Sequence, residues 1–144
     1  MDHKRIIEFL ESSFLSNLLK DEEITDISYN GESIFFLHNL YGRQKDYQKI
    51  SKEQAMNFVR QIANLSEKQF SYTNPILDIS FGKYRFNSTH TSIAKLNNEP
   101  VVNFSIRIAS EKRHIDKSNE LFFPKAVGEL IDLIVKSNQS IVIG

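Results

Sequence analysis

The sequence contains no cysteine, which excludes disulfide staples and thiolate metal sites and fits a reducing compartment. It has no net charge: 18 Lys and Arg stand against 18 Asp and Glu. No global field therefore draws it to nucleic acid or to an anionic membrane, although a local patch is still allowed. No apolar run approaches the roughly 20 residues that span a bilayer. The N-terminal Met1-Asp2-His3-Lys4-Arg5 leads into an amphipathic stretch, not a signal-peptide core. Internal repeats and low-complexity tracts are also missing. What is there is an ordinary globular balance, 40% hydrophobic and 25% charged over 144 residues, enough for one core and part of a second. These features read as a cytoplasmic protein. The four N-x-S/T sequons, at Asn64, Asn87, Asn103 and Asn138, then carry no glycan meaning.

Apolar periodicity predicts a helix over 4–20, with Ile6, Ile7, Leu10, Phe14, Leu15 and Leu18 on one face. Asp21-Glu22-Glu23 closes it. Residues 24–30 alternate apolar and polar like a half-buried strand. Asn30-Gly31 is a turn signal, because both residues tolerate positive φ. Residues 33–38 form the return strand, and 43–49 a third. Ser51-Lys52-Glu53-Gln54 has the spacing of a capping box and opens a helix with Ala55, Phe58, Val59, Ile62 and Leu65 on its apolar face. After Asn74-Pro75 come three strand patterns, 76–81, 84–89 and 101–109, with a polar loop over 92–100. Residues 110–122 read as a linker. Pro124 opens a last amphipathic helix, and an Ile/Val strand ends on Gly144. The order αβββαβββ up to about residue 110 predicts an α+β layer of helices on an antiparallel sheet.

The alternation places Arg85 and Asn87 on one face of their strand, and Asn103, Ser105 and Arg107 on one face of theirs. If the two strands pair, two arginines share a polar face. The planar guanidinium fork suits phosphate oxygens. The simpler reading from spacing alone is a solvated outer face. His3, His38, His90 and His114 are scattered without ligand spacing and read as surface or turn histidines. Asp26 and Asp78 read as polar-face residues more readily than as a catalytic pair, because no nucleophile–base arrangement accompanies them. The 11 phenylalanines fall mostly on apolar phases and read as core. No metal site and no catalytic residue is expected within this chain.

Four stretches in order carry a family resemblance. Ile24-Thr25-Asp26-Ile27-Ser28-Tyr29-Asn30-Gly31 resembles the V-T-[DE]-I-x-[VI]-N-G opening of the secretion traffic ATPases, the hexameric motors of type II and type IV secretion, conjugation, and type IV and Tad pili. Pro75 to Asp78 followed by Gly82 to Asn87 resembles their P-[IV]-x-D-x-x-x-x-G-x-R-[VF]-N stretch. Phe104-Ser105-Ile106-Arg107-Ile108 resembles their x-S-I-R-[KI] strand. The closing Ile141-Val142-Ile143-Gly144 resembles the strand that enters the phosphate-binding loop. One departure is the Phe81-Gly82-Lys83 turn, which stands where the family has a longer L-P-[DE]-G-S.

The resemblance implies a PAS-like N-terminal domain over 1–109, a linker over 110–122, and the start of a RecA-like ATPase domain over 123–144. Gly144 would be the entry to the phosphate loop. Arg85 and Arg107 would be arginine fingers on the phosphates of a nucleotide held by the ATPase domain, its own or a neighbour's. The full-length protein would use ATP and Mg to power macromolecule export. The chain alone would lack the phosphate loop and the Walker B acid, so it would neither hydrolyse ATP nor bind it tightly. Its expected partners are copies of itself in a hexameric ring and inner-membrane secretion or pilus components. Nucleic acid is not expected, and the location would be cytoplasmic, peripheral to the inner face of the membrane. The alternative is a free-standing PAS-like sensory or interaction module, which needs a ligand cavity between helix 51–65 and the sheet or a partner surface. A nucleic-acid-binding sheet using Arg85, Arg107 and Lys83 is a third reading, against which the zero net charge stands.

Overall fold

In the computed structural model, which describes residues 2–109, 124–138 and 140, the periodic stretch 4–20 is two helices, α1 (His3–Glu11) and α2 (Ser16–Leu19). The break lies at the two serines between them. The Ser12 hydroxyl donates to the Phe9 carbonyl at 3.2 Å, and the Ser13 hydroxyl to the Leu10 carbonyl at 2.6 Å. Side-chain hydroxyls thus take carbonyls that a continuing helix would use. The expected apolar face survives the break, with Ile6, Leu10 and Leu15 fully buried.

Strands β1 (Ile24–Tyr29), β2 (Ile34–His38) and β3 (Gly42–Lys45) follow as an antiparallel meander. Strand β3 is shorter than the expected 43–49: the Asp46 amide still donates to the Ile34 carbonyl of β2 at 2.9 Å, and beyond it the Asp46 carboxylate turns the chain by accepting from the Gln48 amide at 3.1 Å. At the β1–β2 turn the Asn30 side chain accepts from the Glu32 and Ser33 amides. Gly31 there has φ +101, and a Cβ on it would lie 2.6 Å from Cβ of Val101. Glycine is required by both conformation and space. Strand β1 also contains a bulge. Ile24 pairs with His38 and Asp26 with Leu37, so Thr25 is the extra residue. Ile24 and Ile27 are therefore both buried although three positions apart, and Asp26 turns to the opposite face.

Helix α3 (Lys52–Leu65) starts in a complete capping box. The Gln54 amide donates to the Ser51 hydroxyl at 3.0 Å, and the Ser51 amide donates to the Gln54 side chain at 2.8 Å. Strands β4 (Ile76–Phe81) and β5 (Tyr84–Thr89) form a hairpin through the Gly82-Lys83 turn. The expected polar loop 92–100 holds a small hairpin, β6 (Lys95–Leu96) and β7 (Glu99–Pro100). Its two loop residues, Asn97 and Asn98, have φ +50 and +65, the positive-φ pair of a tight two-residue turn. Strand β8 (Asn103–Ile108) returns to the main sheet.

The main sheet has the order β3-β2-β1-β8-β5-β4, with every neighbouring pair antiparallel. Helices α1 to α3 supply buried residues to one core with one face of it, so the expected α+β class is the one observed. The space between helix and sheet is filled by Phe58 of α3. Its ring lies 5.7 Å from Phe9, 4.9 Å from Phe14, 6.1 Å from Phe86 and 5.2 Å from Phe104.

Two compact units divide the chain, Met1–Ser110 and Glu111–Gly144. The second contains helix α4 (Lys125–Lys136), which follows Pro124 and has no buried residue. The expected linker residues 110–122 and the closing strand with Gly144 lie outside the described residues. No described helix is long and apolar enough to cross a membrane.

Candidate functional site

Strands β5 and β8 pair with Arg85 opposite Arg107 and Asn87 opposite Ser105. The two arginines therefore stand side by side on the sheet face away from the helices, as alternation predicts. Phe86, Phe104 and Ile106 point the other way and are buried. Both arginine side chains are largely open to solvent, 66% for Arg85 and 78% for Arg107.

Neither is alone. The Arg85 guanidinium makes a two-pronged contact to Asp78 on β4: Nε to Oδ1 at 3.3 Å and Nη2 to Oδ2 at 3.0 Å. Arg107 donates from Nε to Oδ1 of Asp26 at 3.3 Å, directly across from β1. The Arg85 hydrogen bonds and charge hold the Asp78 carboxyl below the usual carboxylate range, against a smaller opposing push from burial, and Asp78 raises Arg85 in return. Asp78 is thus ionised throughout the neutral range. An open depression of about 230 Å³ lies among Asp26, Asp78, Arg85, Arg107, Asn87 and Ser105.

The acids stand on strands that are not neighbours. Strands β8 and β5 separate β1 from β4, so the strands that carry the two acids lie roughly 14 Å apart at about 4.8 Å per strand. Each acid holds one arginine. Pattern reading places both on the polar face but does not connect them to the arginines. The connection needs the strand order, and only the β4–β5 hairpin is local enough to announce its half of it.

The same face continues onto β2 and β3. Arg43 stacks over the Phe35 ring at 5.0 Å from its centroid. A second depression, of about 200 Å³, lies among Asp26, Ser28, Phe35, Leu37 and Arg43. The motifs do not point to Arg43, but the period-2 pattern of a strand from Gly42 places it on this face, opposite Leu37. Lys83, by contrast, is not part of the arginine face. It sits in the β4–β5 turn with Nζ 5.3 Å from the Tyr84 ring, which is buried on the helix side.

His3 is exposed at the start of α1, whereas His38 and His90 hold turns. His38 is buried, and its Nδ1 accepts from the Leu40 amide at 3.1 Å. His90 accepts from the Ser92 amide at 3.1 Å, and burial pushes its pKa down, helped by the charge of Arg60. His114 and Gly144 lie outside the described residues. Among the described residues, no three His, Asp or Glu side chains come together as a metal site.

No family model matches the chain. It is 27% identical over 142 residues to an uncharacterized protein of Bacillus anthracis, an alignment covering 96% of this chain and 31% of that protein. Among solved structures it is similar to the VirB11 ATPase of the Brucella suis type IV secretion system, crystallised in complex with sulphate. That likeness has a TM-score of 0.62 at 17% identity, over 92% of this chain and 45% of the ATPase chain. The chain thus spans under a third of the curated relative and under half of the ATPase. At this identity the likeness establishes the fold: the α+β arrangement carrying the two arginines is one that a VirB11 ATPase also contains.

Proposed function

We propose that this chain carries the N-terminal, nucleotide-capping domain of a secretion ATPase over 1–109, a linker over 110–122 and the start of the motor domain from 123. The observation that carries this reading is the β5–β8 register, which sets Arg85 beside Arg107 on an exposed sheet face. The VirB11 fold and the ordered motifs support it. In this role the two guanidiniums close over the phosphates of a nucleotide held by an ATPase domain, its own or a neighbour's in a hexameric ring. They stabilise charge that develops on the transferred phosphoryl group. The arginine donors fit phosphate oxygens, whereas a magnesium ion would be held by residues of the motor domain. When bound there, the metal offsets phosphate charge. Hydrolysis then drives domain movement and macromolecule export at the inner face of the cell membrane. A free-standing ligand sensor is not favoured, because Phe58 fills the space between α3 and the sheet where its cavity would be.

Two experiments test the reading. The codons after Gly144 should encode G-x-x-x-x-G-K-[ST]; another continuation overturns it. In the polypeptide carrying the motor domain, Arg107→Ala should lower ATP turnover by on the order of a hundredfold while thermal unfolding stays near that of the parent. Unchanged turnover would remove the capping role.

A further inference from the structure

Four charges cross strands β1, β8, β5 and β4 in the order acid, base, base, acid: Asp26, Arg107, Arg85, Asp78. Arg85 and Arg107 are register partners, so two like charges occupy one strand spacing. Each is offset on its outer side by a carboxylate, and the quartet sums to zero. The donors nearest the acids are already engaged, two on Arg85 and one on Arg107. An anion entering the depression therefore meets the two carboxylates as well as the guanidiniums. At about 230 Å³ that open depression is smaller than the 300–1,000 Å³ of a typical ligand pocket. A bare arginine pair would attract any phosphate or sulphate in solution; this one is already neutralised.

We propose that Asp26 and Asp78 are specificity-determining residues: they serve as internal counter-ions that engage the two arginines, Asp78 by two bonds and Asp26 by one, and keep free small anions off this face. The guanidiniums then turn only to an anion that a facing surface holds against them. The suppression of free anions stands on the ion-pair geometry alone. The facing surface rests on the capping role.

The test is a calorimetric or NMR titration of the 144-residue chain with inorganic phosphate and with pyrophosphate at neutral pH. Asparagine at both acidic positions (Asp26→Asn with Asp78→Asn) removes the charges and keeps an acceptor oxygen. The double variant should bind both probes at least about tenfold tighter than the parent, and each single variant about threefold to fivefold tighter, the size of one exposed charge interaction. Adding Arg85→Ala and Arg107→Ala should abolish the gain. If the double variant does not fold, either single variant gives the same sign. Affinity equal to or below that of the parent overturns the proposal and makes the carboxylates simple positioning groups. Tighter phosphate binding together with unchanged ATP turnover in Arg107→Ala would keep the counter-ions and remove the capping role. The opposite pattern would do the reverse.

Discussion

Gly31 is the residue at which substitution is most constrained. Its φ of +101 is strained for any side chain, and the Cβ of alanine would meet all three side-chain carbons of Val101 within 2.9 Å. The backbone strain alone costs on the order of 1–3 kcal/mol, and the overlap adds to it. Gly31→Ala should therefore shift the urea midpoint of unfolding clearly downward; a midpoint equal to that of the parent would show that the turn relaxes freely. The Asn30-Gly31 signal is legible in the sequence, because positive φ is a local property. The overlap with Val101 is not, since it depends on a residue 70 positions away. The arginines divide in the same way. Period-2 alternation puts Arg85 and Arg107 on polar phases, but their carboxylate partners follow from strand order.

At the scale of elements, local chemistry decides which expectations hold. Helix α3 begins where its capping box says, because both reciprocal hydrogen bonds form. Ser51→Ala removes the side-chain acceptor for the Gln54 amide and should cost about 1 kcal/mol, read as a lower thermal midpoint. A loss of several kcal/mol would mean that Ser51 does more than cap. The stretch 4–20 is read as one helix because apolar period reports which face is buried, not where the backbone is interrupted. Ser12 and Ser13 fit a helical face and still break it by taking carbonyls. The β6–β7 hairpin is passed over for the opposite reason. Its two-residue strands are too short to show a period, and its one signal, Asn97-Asn98, looks like general polarity until both φ angles prove positive.

For the whole molecule, the sheet is one surface with two chemistries. The helix side closes around Phe58, which touches rings from α1, the α1–α2 connection, β5 and β8. Phe58→Ala should cost about 3–5 kcal/mol and lower unfolding of the Met1–Ser110 unit as one cooperative transition. A shift under about 1 kcal/mol would mean that this cluster does not hold the layers together. The antiparallel α+β class is legible from the strand and helix patterns. The insertion of β8 between β1 and β5 is not, because nothing local says where the last strand returns. That insertion builds the arginine face, and the face also depends on the bulge at Thr25. Along β1 the chain changes parity: core residues fall on even positions at Ile24 and on odd positions from Ile27 onward. Asp26 meets Arg107 only because of that change. A homologous chain could keep all four charged residues, lose the one-residue slip, and carry an arginine with no carboxylate across from it.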